Sequence, residues 1–358
     1  MPAKRFACPA CNANMAFDPQ AGRLRCSYCG VQQDVPEDKQ SVRELPFAEY
    51  GSQRLERISE KALEVGCSSC GSVVEFEPPE VAGTCPFCAA PIVAQPKAAD
   101  PMVAPHAVLP VRIPQQSASA SVGQWLSSRW FAPDGLKRIA RPDGIQGVYV
   151  PTWTFDAEAL TRYTGSRGTY YYVQESFQEF VNGQAVQRIR QVRKIRWKPC
   201  SGQVFDRFDD VLVNATRAID RRRLDELMPW DLGELRCYEP AFLAGFKAQR
   251  YQIELPQAWN EAQQIMRDAI YSTVIQDIGG DVQQVSSLDP RFSNITFKHV
   301  LLPVWIGAYR FQGKVYQVLV NARTGEVQGD RPYSASKILM ALLAALLFIT
   351  LVAILGGR

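Results

Sequence analysis

The sequence predicts an α+β chain made of two small cysteine-clamped hairpins, a mixed α+β domain and one apolar helix close to the C-terminus. Three observations carry this reading: a duplicated set of Cys-x-x-Cys pairs, strand and helix patterns that mix without regular βαβ alternation, and an uncharged run of 18 residues from Ile338 to Leu355. They divide the chain into a first hairpin over 1–36, a connecting helix over 37–65 and a second hairpin over 66–96. A linker and first strand over 97–116, an α+β domain over 117–330 and a terminal segment over 331–358 complete it.

A chain of 358 residues holds enough apolar material for a proper core, so disulfide staples are not required by size. A net charge of +4 over 40 basic and 36 acidic residues is too mild to argue for nucleic acid by itself. The opening stretch MPAKRFACPAC has no apolar segment that would act as a signal peptide, which places the ten cysteines in a reducing compartment, where paired Cys-x-x-Cys units read as metal ligands.

Eight of those cysteines form four pairs: Cys8 with Cys11, Cys26 with Cys29, Cys67 with Cys70, and Cys85 with Cys88. Fourteen residues separate Cys11 from Cys26 and fourteen separate Cys70 from Cys85, so the second set repeats the first 59 positions later. Two residues between cysteines let one tight turn aim both sulfurs at one ion, and two such turns complete a tetrahedral thiolate site that suits Zn²⁺. The expectation is two structural zinc ions. An iron–sulfur cluster also takes four thiolates, but the duplicated hairpin spacing favours zinc; a redox pair needs one Cys-x-x-Cys beside a βαβ unit, and a catalytic zinc keeps an open position. Gly30, Gly71 and Asn12 follow the second cysteine of a pair, where a left-handed backbone is wanted, and Ala89 departs from that pattern. Met15–Asp18 and Val73–Glu77 read as strands, so each unit is a hairpin clamped at its open end. Metal supplies on the order of 10 kcal/mol of folding free energy that so few apolar residues cannot.

Between the hairpins, Leu55, Ile58, Ala62 and Leu63 fall at helical spacing. The Ala-, Pro- and Val-rich stretch after the second hairpin leads into an expected strand over Val108–Ile113 and makes the ribbons separable from the α+β domain. Further on, Thr169–Val173 and Val315–Val320 read as strands, and Ser119–Trp130, Arg217–Leu227 and Gln257–Ile278 as helices. The run RIRQVRKIRWK places Arg188, Arg190, Arg193, Lys194, Arg196 and Lys198 among Ile189, Val192, Ile195 and Trp197. Such a run is a candidate contact for an anionic surface, whether nucleic acid or headgroups, against the plainer reading of a solvated strand face.

At ~1.5 Å per residue the 18-residue run Ile338–Leu355 spans ~27 Å of a ~30 Å hydrocarbon core, which reads as a single transmembrane helix. Arg331 and Lys337 on its near side put the N-terminal bulk in the cytoplasm. No phosphate-binding loop, dinucleotide fingerprint or His-Glu-x-x-His occurs, His106 and His299 lie far apart, and Cys200 and Cys237 lack paired spacing, so no enzyme is expected.

With the four Cys pairs, GVYVPTWTFDA (147–157), YEPAFLAGF (238–246) and the stretch from Leu301 to Lys337, the chain resembles a family of bacterial membrane proteins described as TFIIB-type zinc-ribbon-containing. Members are sometimes called primosomal replication-factor helicases, yet the ATP-binding loop that activity needs does not occur here. The resemblance implies a non-enzymatic scaffold or adaptor at the inner membrane, in envelope-stress or membrane-maintenance complexes with phage-shock-protein-A-like and flotillin-like (band 7) partners. A tethered zinc-ribbon protein binding DNA or RNA is the alternative.

Overall fold

The computed structural model describes residues 6–36, 42–50, 57–58, 63–67, 73–76, 82–85, 87, 90–93, 102–130, 144–181, 184–311, 314–330 and 333–356. The expected α+β class is corrected: the chain is mostly β, organised on one large, predominantly antiparallel sheet. The cause is length. Three strands of about 30 residues or more replace the short strands that the alternation implied, and they carry most of the middle of the chain.

The first ribbon is a three-stranded antiparallel sheet of β1 (Met15–Asp18), β2 (Arg23–Cys26) and β3 (Gln32–Gln33), with Met15 opposite Cys26. Alternation turns Met15, Phe17, Leu24 and Cys26 inward. The expected helix over 37–65 does not occur among the described residues, which hold β4 (Leu45–Pro46), a 3-10 turn over Phe47–Glu49, β5 (Arg57–Ile58) and β6 (Leu63–Gly66). Strand partners have claimed these positions: Leu45 pairs with Phe297, and Leu63 with Phe76. The second ribbon pairs β6 with β7 (Val73–Phe76) and β8 (Ala82–Thr84) with β9 (Pro91–Val93).

After β10 (Met102–Val103) and β11 (Ala107–Val108) comes α1 (Gln115–Ser127), then β12 (Gln146–Val181) and β13 (Gln184–Asn214). Helix α2 (Arg221–Glu226), capped by the Asp220 carboxylate on the Arg222 N–H, leads to β14 (Arg236–Cys237) and β15 (Lys247–Ala248). Helix α3 (Leu255–Ile278) follows, then β16 (Val282–Phe311), β17 (Lys314–Asn321), β18 (Val327–Gly329) and α4 (Ala335–Gly356). In the large sheet β12 runs between β13 and β16, and β17, β11 and β4 pair with β16 along its other edge.

The two ribbons cover opposite faces of this sheet. Phe17, Leu24 and Cys26 pack with Tyr149, Leu301, Trp305, Val318 and Val320. Cys67, Cys85 and Phe87 pack with Val148, Val150, Val304, Ile306 and Leu319, the alternate residues of the same three strands. Neither ribbon is separable from the body, since each shares a hydrophobic core with it. The Phe17 ring meets Phe242 edge-on at 5.5 Å, and the Gln317 amide donates to the Phe87 carbonyl at 2.9 Å.

Helix α3 lies on the first ribbon's face, where Ala258, Ala262 and Met266 pack with Trp153, Phe155 and Phe297, and Ile270, Val274 and Ile278 with Ala159, Tyr163 and Val204. It ends at the level of Gly168, where β16 also begins: Gly168 pairs with Val282, the Arg167 Nε donates to the Ile278 carbonyl, and the Tyr170 N–H donates to Asp281 at 2.7 Å. Beyond that level, among the described residues, β12 and β13 continue without another strand, from Thr169 opposite Arg196 to Val181 opposite Gln184. This two-stranded extension is the arm.

Helix α4 forms where the apolar run is, but among the described residues no helix is long and apolar enough to cross a membrane. It opens with Ala335, Ser336 and Lys337. The expected transmembrane helix, the single-pass inner-membrane placement and the membrane as a partner are overturned. The association with phage-shock-protein-A-like and flotillin-like proteins at the inner membrane face, which the resemblance implied, loses that placement.

Candidate metal centre and interaction arm

Cys8, Cys11, Cys26 and Cys29 converge at one end of the first ribbon, and their sulfurs all lie within 4.8 Å of one another. The Sγ separations of Cys8 to Cys29, Cys11 to Cys26 and Cys11 to Cys29 are 3.4, 3.5 and 3.5 Å. Four thiolates at ~2.3 Å from one tetrahedral ion stand about 3.8 Å apart, so this set fits a Zn²⁺ ion with a small expansion. The turns are built as the spacing required: Asn12 and Gly30 have φ of 58° and 76°, which frees backbone N–H groups to point at sulfur. The Cys29 and Tyr28 N–H groups draw the Cys26 thiol down to about 6, while the neighbouring sulfurs push the Cys11 thiol up to about 12, since four adjacent thiols cannot all ionise without a cation to share. A thiol eased toward thiolate is what metal ligation needs.

In the second ribbon Cys67 and Cys85 are both buried on the sheet, while Cys70 and Cys88 lie outside the described residues, as do Gly71 and Ala89. Cys200 and Cys237 are half-buried and sit apart from the tetrad, on β13 and β14.

A polar cluster that no motif announced sits where the second ribbon's face of the sheet ceases to be covered. Two bulges flank β12 here: β13 gains a residue opposite Phe155–Ala157 and β16 gains one opposite Asp156–Glu158, with Asp210 and Asn294 at φ of 52° and 51°. Lys298, 6% exposed, reaches Asp210 at 2.7 Å and Glu44 at 3.0 Å. The Asp210 N–H donates to Asp156 at 2.6 Å, and the Thr296 hydroxyl lies 3.0 Å from Glu44 and 3.2 Å from Asp156. Burial and the neighbouring Glu44 push the Asp156 carboxyl up to about 6, while Asp156 and Lys298 hold Glu44 down to about 2. The Lys298 ammonium thus meets Glu44 and Asp210 directly, and the raised Asp156 carboxyl lessens the repulsion between neighbouring carboxylates, which explains how these groups tolerate burial. The sequence signal was slight: Asp209-Asp210 and Asn294 are polar residues of the kind that accept a left-handed backbone, interrupting alternating strands.

His106 and His299, 193 positions apart, meet across β11 and β16: the His299 N–H donates to His106 Nδ1 at 2.9 Å, and the His106 N–H donates to the His299 carbonyl at 2.8 Å. Burial lowers them to about 4 and about 3, so both are neutral and belong to the aromatic core beside Trp153, Tyr251 and Phe297.

The basic run lies on the arm, and the strand register divides it between two faces. Arg188, Arg190, Lys194, Arg196 and Lys198 share one face with Tyr171, Glu175, Phe177 and Glu179 of β12; Arg193 points to the other. Arg188 pairs with Glu179 at 2.6 Å, Lys194 with Glu175 at 2.8 Å, and Arg190 with Glu175 at 3.8 Å. The Arg190 guanidinium lies 5.3 Å over Phe177 and that of Arg196 5.1 Å over Tyr171. Five cations against two carboxylates leave this face net positive, with Arg196 and Lys198 toward its base outside the described ion pairs. The opposite face holds Trp197, Ile195, Tyr172, Ile189 and Phe180 with Gln174, Gln178, Gln187 and Gln191 between them. Arg193 is its one charge and lies 4.3 Å over Tyr170. Trp197 rests on Gly168, directly opposite, where any Cβ would meet its ring at 2.9 Å.

No protein-family profile matches the chain, and no solved structure matches it. The chain is similar to the uncharacterised protein YdjG of Bacillus subtilis (strain 168), at 25% identity over 341 residues that cover 93% of this chain and 91% of that one.

Proposed function

We propose that this protein is a non-enzymatic adaptor in which zinc-clamped ribbons brace a β body that presents its arm to a macromolecular partner. The carrying observation is the arm: two strands that leave a covered sheet and run on with both faces exposed and their side chains sorted by face. An isolated two-stranded hairpin is marginal in water, so a chain that keeps one gains by contact with something else. The eight ligands Cys8, Cys11, Cys26, Cys29, Cys67, Cys70, Cys85 and Cys88 serve structure in this reading, each tetrad holding one Zn²⁺ with no open position for substrate. The likeness of the Cys spacing to TFIIB-type zinc-ribbon proteins supports that assignment.

The test is to replace 169–196 with a short turn joining Gly168 to Trp197, then compare proteins cross-linked to the intact and shortened chains in cells. Adaptor function requires specific cross-links that vanish with the arm while zinc content and thermal unfolding stay as before. Cross-links unchanged by the deletion reject it.

One observation favours nucleic acid as the partner class: the five cations form a single row on one face of one strand, as a single phosphate backbone would need, with aromatic rings beside them. Binding of a single-stranded oligonucleotide then falls steeply with salt, and K194E/R196E/K198E weakens it more than tenfold while R193E, on the other face, changes it little. Equal effects of the two variants, or no binding at low salt, remove this reading.

A further inference from the structure

We propose that the uncharged face of the arm is a homodimer interface, on which the same face of a second copy packs to make a two-layered β sandwich. Along the sheet's covered part, one face meets the first ribbon and α3 and the other meets the second ribbon. On the arm neither cover continues, yet the residues do not become uniformly polar. The face opposite the cations carries Tyr172 at 63% exposure, Phe180 at 74% and Trp197 at 43%, together with exposed Ile189 and Ile195. Charged edge residues alone explain protection against strand pairing. They do not explain why β13 puts five cations on one side and Ile189, Ile195 and Trp197 on the other.

Area and charge select a second copy as the occupant. At ~200 Å² per ring the three exposed aromatics offer about 350 Å². Ile189, Ile195 and four glutamines extend the patch toward the ~800 Å² per partner of a stable interface. The patch has no carboxylate to meet a basic partner and only Arg193 to meet an acidic one, and that guanidinium is already stacked on Tyr170. An apolar and amide surface of this kind is self-complementary, as a two-fold interface requires. Two cationic faces repel, so arms can join only through the uncharged ones, at the ~10 Å spacing of stacked sheets. The dimer gives each arm the second layer it lacks and turns the basic rows outward on both sides. The inference is independent of which partner the basic face takes.

The experiment is sedimentation of the full zinc-loaded chain across a concentration series, with Y172E/I189K on the uncharged face and R190E/K194E on the basic face. The expected result is a dimer for the parent and for R190E/K194E, and a dissociation constant raised at least a hundredfold by Y172E/I189K. Cysteine placed by Gln191→Cys near the middle of the face is expected to form an intermolecular disulfide under mild oxidation, and Gln191→Ser is not. Because both substituted positions are exposed, unchanged zinc content and unfolding temperature verify the fold. A parent that stays monomeric, or a dimer untouched by Y172E/I189K, as association through α4 would give, overturns the proposal.

Discussion

Strands β12 and β13 each run unbroken from the body to the arm, but their two ends live by different rules. In the body β12 buries every residue from Val150 to Phe155, whichever face it points to, and even Thr152 and Thr154 are fully enclosed. On the arm both faces meet water, and what distinguishes them is charge against apolarity. The matched bulges at Asp156 mark the approach to this change, bending the sheet where its second face loses cover. The same backbone pairing therefore serves as packed core at one end and as display surface at the other. Side-chain sorting, rather than hydrogen bonding, decides which.

On the proposed zinc assignment, the contrast breaks most severely when the first ribbon's metal is removed. Chelation, or Cys26→Ser, withdraws free energy on the order of 10 kcal/mol from a ribbon whose core is continuous with Tyr149 and Trp305, so unfolding should spread to the sheet. Circular dichroism and one cooperative calorimetric transition check this, since a surviving body with only the ribbon melted would show that the shared core is weak. Next in size is Trp153→Ala, which empties a fully buried site against Tyr251 and Phe297 and loses the indole donor to the Ile253 carbonyl; a loss of about 3–5 kcal/mol in denaturant unfolding is expected.

A subtler break lies at the boundary. Asp156 titrates at about 6 in the fold, so its contribution is fully present below the unfolded carboxylate range and is lost as pH rises through 6. The neutral histidines His106 and His299 act oppositely, costing stability as pH falls below 6.5, so the diagnostic is the difference between the parent and Asp156→Asn. That difference should change between pH 4 and 6.5 and be flat above 7; a flat difference throughout denies the raised carboxyl. The smallest effect belongs to the arm, where Tyr172→Ala should alter monomer stability by no more than about 0.5 kcal/mol in dilute solution, in contrast to Trp153→Ala on the same strand.

Local geometry was legible in the sequence. Cys-x-x-Cys spacing announced the turns, and Asn12 and Gly30 adopt the left-handed backbone those turns require. The helix expected over Gln257–Ile278 appears as α3, because Ala258, Ala262, Met266, Ile270 and Val274 hold a helical period against the sheet. What was not legible depends on partners far away in sequence. Leu55, Ile58 and Leu63 have helical spacing, yet Ile58 pairs with Met102 and Leu63 with Phe76. The polar cluster draws on Glu44, Asp156, Asp210 and Lys298, which no short window contains. In the run from Arg188 to Lys198 charge was plain from composition, but the division of Arg193 from its neighbours needed the period of two that only a strand imposes. The apolar C-terminal run misled in the other direction: composition alone implied a membrane span, whereas among the described residues no helix meets that length and apolarity.

The pairing of Leu45 with Phe297 has a consequence for synthesis. These residues are 252 positions apart, so at ~5–20 residues per second a ribosome takes roughly 10–50 s between delivering one and the other. During that interval the N-terminal modules must stay soluble with Phe17, Leu24 and Phe87 bare, because the strands that cover them have not yet been made.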